Sequence, residues 1–297
     1  MAVLKCVDIS HHNGNVDYAK LRQGGITCAI IRAGYGLAED RYFKQNMSKA
    51  KAAGFLIGVY WFAYPLTPAD SRKEAEICLR LTAPYKIDLG IWYDLEYDTE
   101  RYAQSKGITI TKEARTAMIR EFCECVAAKG IKTGAYLNPD YMKKINYAEL
   151  SKYDLWLARW SNADKDGNTT FEKNDPAKVD KSYGKVDIWQ IGKTQFGGRD
   201  FDINYVYTDA KPPVQPPAQS KPPANPITLR DGDKVKLINT AVVGGKTYAQ
   251  TYNNTRFRVY HGTYDVIGDP RGDRVVIGIG KNVTAAVNTR DVAKISG

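Results

Sequence analysis

The sequence predicts an α/β protein, a β/α barrel followed by a small all-β domain. Three observations lead to this reading. Over residues 1–209, short β-branched runs alternate with helix-like stretches, the rhythm of a parallel sheet covered by helices. Residues 210–226 then hold seven of the chain's 13 prolines, a composition that favours extended polyproline geometry over a packed core. Beyond them, residues 227–297 alternate β-branched or aromatic runs with glycine turns and contain neither tryptophan nor cysteine. A length of 297 residues suits two such modules. The boundaries fall at 1–209, 210–226 and 227–297, the middle piece being a semi-rigid spacer of about 50 Å at about 3.1 Å per residue.

Strands are expected in the first module at residues 3–9, 27–32, 56–62, 89–95, 132–137, 155–160 and 186–190. Thr67, Pro68 and Asp70 supply an N-cap, a first-position proline and an acid in the first turn of a helix. A longer helix should start after Thr111 and stop at Gly130. From residue 132 onward the strands crowd together and the helices shorten, so the last part of the barrel should be less regular. In the second module strands are expected at 234–238, 256–260, 264–267 and 274–279, between turns at Asp231-Gly232, Gly244-Gly245, His261-Gly262 and Gly268-Asp269-Pro270. About 70 residues make a small core without disulfides, which a compact barrel of five or six strands can still supply. Arg271-Gly272-Asp273 reads as a turn, and Gly278-Ile279-Gly280 lacks the third glycine of a dinucleotide loop.

Composition excludes several classes of function. The net charge is +10, of which +3 lies in 1–209 and +7 in 210–297. The basic residues of the second module are spread along strands with a single phenylalanine, Phe257, which argues against a nucleic-acid partner. No run reaches the roughly 18 apolar residues of a membrane helix, so no membrane partner is expected. The start, Met1-Ala2-Val3-Leu4-Lys5-Cys6, has no basic stretch followed by an apolar run of about 7–15 residues. The chain is therefore expected to be made in the cytoplasm without an export signal, and the sequons at Asn168 and Asn282 carry no weight. Cys6, Cys28, Cys78, Cys123 and Cys125 show no C-x-x-C spacing, and His11, His12 and His261 add no zinc pattern. Reduced core thiols are expected, with Cys123 and Cys125 on different faces of one helix. Neither a metal nor a cofactor is expected.

The chemistry centres on Asp94-Leu95-Glu96, which closes the run from Leu89. In a strand, residues i and i+2 face the same side with Cα atoms about 6.6 Å apart. Two carboxylates at a strand end therefore project into one barrel mouth, where active sites lie. Crowding should raise one pKa while the other group stays ionised, an acid beside an anion, as glycosidic bond cleavage requires. A solvated acidic patch is the plain alternative, since Asp98 and Glu100 follow. Asp8 closes the first strand and Asp202 sits near the end of the last, so both should reach the same mouth.

These residues sit in blocks that resemble glycoside hydrolase family 25, the Chalaropsis-type muramidases. The blocks are Val7-Asp8-Ile9-Ser10-His11-His12-Asn13-Gly14, Ala29-Ile30-Ile31-Arg32-Ala33-Gly34-Tyr35-Gly36, Gly58-Val59-Tyr60-Trp61-Phe62-Ala63-Tyr64, Asp94 with Glu96, Leu155-Trp156-Leu157-Ala158-Arg159-Trp160, Trp189-Gln190 and Asp202-Ile203-Asn204. They follow the family's order and span nearly all of residues 4–207. The resemblance implies an irregular TIM-like barrel of five β/α units and then three strands. It also implies hydrolysis, with retention, of the β-1,4 bond between N-acetylmuramic acid and N-acetylglucosamine. Carried over position by position, Glu96 is the general acid/base, Asp94 its anionic partner, and Asp8 and Asp202 complete the cluster. Asp202 is preferred to Asp187 because the family closes on Asp-x-Asn. The anion either orients the substrate's 2-acetamido group as internal nucleophile or forms a covalent aspartyl intermediate. His11-His12 departs from the family's usual residues there.

Tyr60, Tyr64, Tyr136, Trp160 and Trp61 are candidates for stacking on sugar faces, with barrel core the competing role. Trp92 and Trp156, mid-strand, are assigned to core. Arg32, at a strand end, should tie down a carboxylate, and it joins Gln190 among the substrate-binding candidates. The expected partner is the glycan strand of peptidoglycan. The spacer and the absent export signal resemble phage endolysins released through holin-type pores, with a bacterial autolysin as the other source. Residues 227–297 resemble SH3-like wall-binding domains in size and strand pattern, and a Gram-positive wall polymer is their expected ligand. The competing reading is a carbohydrate-binding protein without catalytic activity.

Overall fold

Strands whose two faces are both buried must be apolar throughout, and the first module contains several. Its strands are β1 (Ala2–Ile9), β2 (Cys28–Tyr35), the two-residue β3 (Ala38–Glu39), β4 (Leu56–Phe62), β5 (Ile91–Asp94), β6 (Thr133–Leu137), β7 (Asp154–Ala158), β8 (Ile188–Phe196) and β9 (Arg199–Thr208). Its helices are α1 (Tyr18–Gln23), α2 (Phe43–Ala52), α3 (Pro68–Thr82), α4 (Tyr97–Ser105), α5 (Lys112–Ala127) and α6 (Pro139–Lys143). The computed structural model describes residues 2–210, 229–243, 245–252 and 255–295. The chain divides into two compact units, Met1–Gln215 and Pro216–Gly297. The expected spacer lies outside the described residues, apart from Ala210.

In the first unit β1, β2, β4, β5, β6, β7 and β8 run parallel in that order, and antiparallel β9 closes the barrel between β8 and β1. Helices follow the first five barrel strands, α4 and α5 together after β5. After β6 they shrink to the five-residue α6, and after β7 only short 3-10 turns remain. Five β/α units and then three strands are what the family resemblance implied, and the less regular last part agrees with the thinning of helix signals. Local chemistry explains the helix starts. Thr67 accepts from Asp70 N while Asp70 accepts from Thr67 N, and Thr111 accepts from Ala114 N. The Thr111 helix ends at Ala127, and Gly130, at φ +70°, completes the turn after it.

Strand alternation produces two cores. Outward residues such as Ile31, Val59, Trp61, Tyr93 and Leu157 pack under the helices. Inward residues form a smaller core of Leu4, Cys6, Cys28, Ile30, Leu56, Tyr60, Leu89, Trp92, Trp156, Ile188 and Val206. Trp92 and Trp156 meet edge to face at 6.3 Å, and Tyr60 and Tyr136 meet Trp156 the same way at 5.9 and 4.9 Å. This aromatic plug fills the barrel axis. Trp92 fits because residue 134 is glycine: a Cβ there would overlap the Asp154 carbonyl oxygen and approach the Trp92 ring to 2.8 Å. The cysteines are free; four are buried and Cys125 is half-buried, while Cys123 on the same helix faces the core. Among the described residues no helix is long and apolar enough to cross a membrane.

Two strand expectations needed correction. Gly90, at φ +85°, delays β5 to Ile91. At the other end, β8 runs on to Phe196 and pairs with β9, whose polar positions (Arg199, Asp200, Asp202) break the apolar signal. Asp202 consequently lies near the start of the last strand, not its end. The antiparallel direction of β9 still carries it to the mouth, opposite Asp8.

Among its described residues the second unit has eight strands in two antiparallel sheets, instead of one barrel of five or six. They are β10 (Lys234–Leu237), β11 (Thr240–Val243), β12 (Lys246–Gln250), β13 (Arg256–Arg258), β14 (Tyr264–Val266), β15 (Arg274–Ile279), β16 (Asn282–Asn288) and β17 (Val292–Lys294). One sheet has the order β16-β15-β14-β10-β17, the other β11-β12-β13. Strands such as Asn282–Asn288, rich in alanine, threonine and asparagine, carry too little apolar weight to stand out in sequence. The core is built from Leu229, Val235, Tyr264, Val266, Val275, Ile277, Val287 and Val292. Arg271-Gly272-Asp273 is a turn, with Gly272 at φ +63° and Arg271 bridged to Arg274.

Gly134→Ala should lower the unfolding free energy by about 1–3 kcal/mol, as overpacking of a filled core does. Denaturant unfolding followed by tryptophan fluorescence would measure it. A loss below about 0.5 kcal/mol would mean that Trp92 and β7 yield without the strain that overpacking brings.

Candidate active site

The inward residues at the C-terminal ends of the parallel strands make the layer above the aromatic plug. Asp8 comes from β1, Arg32 from β2, Tyr60 from β4, Asp94 from β5, Tyr136 from β6 and Gln190 from β8. Asp202 arrives from the start of β9. Glu96 follows two residues after Asp94 in extended conformation (φ −142°, ψ −163°) and serves as the N-cap residue of α4, its N–H donating to Thr99 Oγ1. All eight line one open cleft of about 620 Å³, together with Tyr64.

Asp8 is the best held of the acids. Its Oδ2 accepts from Asn204 Nδ2 at 2.9 Å and from Gln190 Nε2 at 3.0 Å. The amides are themselves oriented, because Gln190 Oε1 accepts from Tyr136 O–H at 2.9 Å and Trp160 Nε1 at 3.0 Å, and Asn204 Oδ1 accepts from Trp156 Nε1 at 2.9 Å. Flipping either amide would turn its oxygen toward the carboxylate and its NH2 toward donors. Asp94 is the opposite case: its Oδ1 is buried with no hydrogen-bond partner among the described residues.

Burial raises the pKa of all four acids. For Asp8 the two amide bonds oppose the rise without cancelling it. Asp94 is raised well above the carboxylate range, through burial first and then the nearby Glu96 and Asp8 charges, with Arg32 pulling the other way. Glu96 is raised by burial and by Asp98, against Arg101. Asp202 is pushed up to about 8 by burial and Asp8. The expected split of one raised and one ordinary carboxyl is therefore replaced by four raised groups sharing protons. Among the described residues no cluster of side chains is arranged to hold a metal ion.

Arg32 does tie down a carboxylate, but outside this quartet. Its Nε donates to Asp40 Oδ2 at 2.9 Å, and its other end contacts His11 Nδ1. Asp40 is buried, which alone would raise its pKa; hydrogen bonds from Tyr42 N, His11 N and Arg32 outweigh that and hold it low. His11 and His12 thus belong to a braced turn on the cleft rim.

Residues 7–195 match the glycosyl hydrolases family 25. The chain belongs to this family. An autolytic lysozyme of Clostridium acetobutylicum is 24% identical over 189 residues, covering 62% of this chain and 55% of that protein. The chain thus spans about half the length of the curated relative it matches. Among solved structures, the CTP1L endolysin is 29% identical with a TM-score of 0.53, covering 69% of this chain and 67% of the other. The fold is shared at lower identity, 20%, by the autolysin LytC of Streptococcus pneumoniae in complex with a synthetic peptidoglycan ligand, with a TM-score of 0.58 and coverage of 69% and 47%. A family 25 glycosyl hydrolase of Bacillus anthracis matches at 20% identity and a TM-score of 0.51, covering 69% and 89%.

The family 25 barrel places nine of the eleven residues singled out from sequence on the cleft lining; Trp160 lies beside it, held to Gln190. Trp61 does not belong there. It has the opposite parity to Tyr60, is fully buried beneath the helices, and packs in the outer core. Asp187 lies at the other end of the barrel, paired with Lys132 at 2.9 Å and Lys185 at 2.8 Å, so it contributes nothing to the cleft. Trp156 is core, as expected, yet also supports Asn204. Sequence reasoning missed Glu74. This residue of α3 is 1% exposed, accepts from Tyr64 N at 2.9 Å and from Tyr93 O–H at 2.6 Å, and so anchors both the cleft wall and the strand that carries Asp94. The signal was present: Ser71, Glu74, Ala75 and Cys78 share one helix face, which puts a carboxylate on the buried stripe.

Burial pushes Glu74 up to about 8, although the two hydrogen bonds lower it. A carboxyl that stays protonated in the fold but ionises near 4.5 when unfolded loses stability as pH rises between those values. The denaturation midpoint should therefore fall from about pH 4.5 to about 8, and Glu74→Gln should remove part of that slope, up to about 1.4 kcal/mol per pH unit. A Glu74→Gln variant that kept the wild-type slope would assign the titration to the cleft acids alone.

Proposed function

We propose that this protein is a lysozyme that hydrolyses the β-1,4 bond between N-acetylmuramic acid and N-acetylglucosamine in peptidoglycan, acting at the bacterial cell wall. The observation that carries this reading is the quartet Asp8, Asp94, Glu96 and Asp202 crowded above an aromatic plug, in a cleft walled by Tyr60, Tyr64 and Tyr136. Glu96, half-buried at the rim with its pKa raised, is the general acid. It gives its proton to the glycosidic oxygen as the bond breaks and takes one back from water in the second half of the reaction. Asp94 supplies the negative charge that faces the developing oxocarbenium ion. Burial favours its neutral form, and its Oδ1 has no partner among the described residues. A substrate N–H or O–H donated to that oxygen favours the anion, so binding itself charges the group. The 2-acetamido N–H is the natural donor, which would orient the acetamido oxygen toward the anomeric carbon.

Asp8 is braced by two amides that favour its anion, against the burial that raises its pKa. Asp202, pushed up to about 8 beside Asp8, can hold a proton for the cluster. Tyr60, Tyr64 and Tyr136 offer rings to sugar faces, and Arg32, Gln190 and Trp160 hold the frame around them. A binding protein without activity would have no use for four acids crowded together with their pKa values raised. The second unit, 227–297, tethers the barrel to a wall polymer through the spacer 210–226, raising enzyme concentration at the polymer without fixing its orientation. Release from the cytoplasm through holin-type pores, in the manner of an endolysin, is the route by which the protein would reach the wall.

Digested walls should show new N-acetylmuramic acid reducing ends; N-acetylglucosamine ends or new amino groups would replace the proposed bond with another. Glu96→Gln should lower turnover by about 10²–10⁴, the usual contribution of general acid–base catalysis, while circular dichroism and wall binding stay unchanged. Near-normal turnover would move the proton donor elsewhere. A chain ending at Asp209 should retain activity on soluble glycan fragments and lose most of its lysis of intact cells. Equal lysis by both lengths would remove the tethering role.

A further inference from the structure

Between Asp233 and Asp265 the chain has neither Asp nor Glu, whereas it has Lys234, Lys236, Lys246, Arg256 and Arg258. All six aspartates of residues 227–297 lie outside this stretch, and two of them are engaged by Lys294 and Lys234 of the five-stranded sheet. The acid-free stretch contains the whole of the β11-β12-β13 sheet. Register sets Tyr248 opposite Arg258 and Gln250 opposite Arg256, so these four side chains share one face with Lys246. Ala249 and Phe257 take the other face, turned toward the core. On the outer face the Arg256 guanidinium lies 4.6 Å from the Tyr248 ring centre, and that of Arg258 lies 4.8 Å from the ring of Tyr260, itself 68% exposed.

Stacking on a phenol ring fixes the plane of a guanidinium while leaving its edge N–H groups free to bind an anion. Neither arginine has an ion-pair partner among the described residues. Two positions apart on β13, the stacked cations stand about 6.6 Å apart at their Cα atoms, spaced for successive charges on one extended chain. A neutral glycan would have no use for them. We propose that this face binds a phosphodiester-linked polyol polymer of the wall, with Arg256 and Arg258 as the phosphate contacts. The proposal rests on the reading of residues 227–297 as a wall-binding unit.

The test uses the full chain carrying Glu96→Gln, sedimented at low temperature with Gram-positive walls, either intact or stripped of phosphodiester polymer with hydrofluoric acid. Stripping should weaken binding at least tenfold. R256Q/R258Q should bind intact walls no better than its parent binds stripped ones, whereas R274Q/K281Q, an equal charge change on the five-stranded sheet, should stay within twofold. Poly(glycerol phosphate) should compete with intact walls. The proposal is overturned if R256Q/R258Q keeps its affinity, if both double variants lose equally through diffuse charge, or if duplex DNA competes better at equal charge. Binding by the parent that is strong but indifferent to stripping would overturn the polymer and leave the wall-binding reading standing. No binding to either preparation would remove both.

Discussion

Putting four carboxyl groups into a small volume above a layer of indole and phenol rings is the constraint from which the rest of the first unit follows. Charge is expensive to bury, and like charges in close quarters make it more so. A direct ion pair would relieve the crowding but would also pin an anion. The guanidinium on the cleft lining, Arg32, is instead engaged by Asp40, a fifth carboxylate held away from the quartet. Relief comes from protons and from two neutral amides on Asp8. The barrel supplies rigidity: Trp156 lies under Tyr60 and Tyr136 and at the same time fixes Asn204, so the packed plug and the polar layer cannot shift independently.

Much of this was legible in the sequence, for identifiable reasons. Doubly buried strands produce apolar runs, so the run from Cys28 to Ile31 marked β2, and residues 56–62 matched β4 at both ends. The i, i+2 spacing of Asp94 and Glu96 survives although the strand ends between them, because Glu96 keeps extended geometry. What escaped was structure written in polar residues. The β8–β9 hairpin alternates charge with apolar groups, so its extension and the entry of Asp202 from a strand start were invisible to a search for hydrophobic runs. The pKa pattern escaped because spacing shows which acids share a mouth but not how deeply each is buried, and burial is the first cause of the rise in all four. The alternation that assigned Tyr60 inward also placed Trp61 outward, and parity there outweighs aromatic character.

The two units solve the problem of size differently. The barrel has an inner and an outer core and can bury acids between them. The second unit has one modest core, with no tryptophan and no carboxylate among its described members, and its polar chemistry lies on the surface. Its strands were harder to find for the same reason: short, with many small or polar residues, they are stabilised by pairing more than by burial.

One feature of the barrel closure reaches beyond the cleft. The antiparallel pairing of β1 with β9 sets Ala2 beside Thr208, so the strand that begins the barrel and the strand that ends it meet at the base, away from Asp8 and Asp202. A short loop could join them, and the order of strands around the ring would not notice. The barrel is in this sense topologically indifferent to where its covalent chain is cut, and circular permutants opened in a helical loop at the base would retain the same ring. The same arrangement lets the polypeptide on either side of the barrel be exchanged or lengthened without threading past the carboxylates.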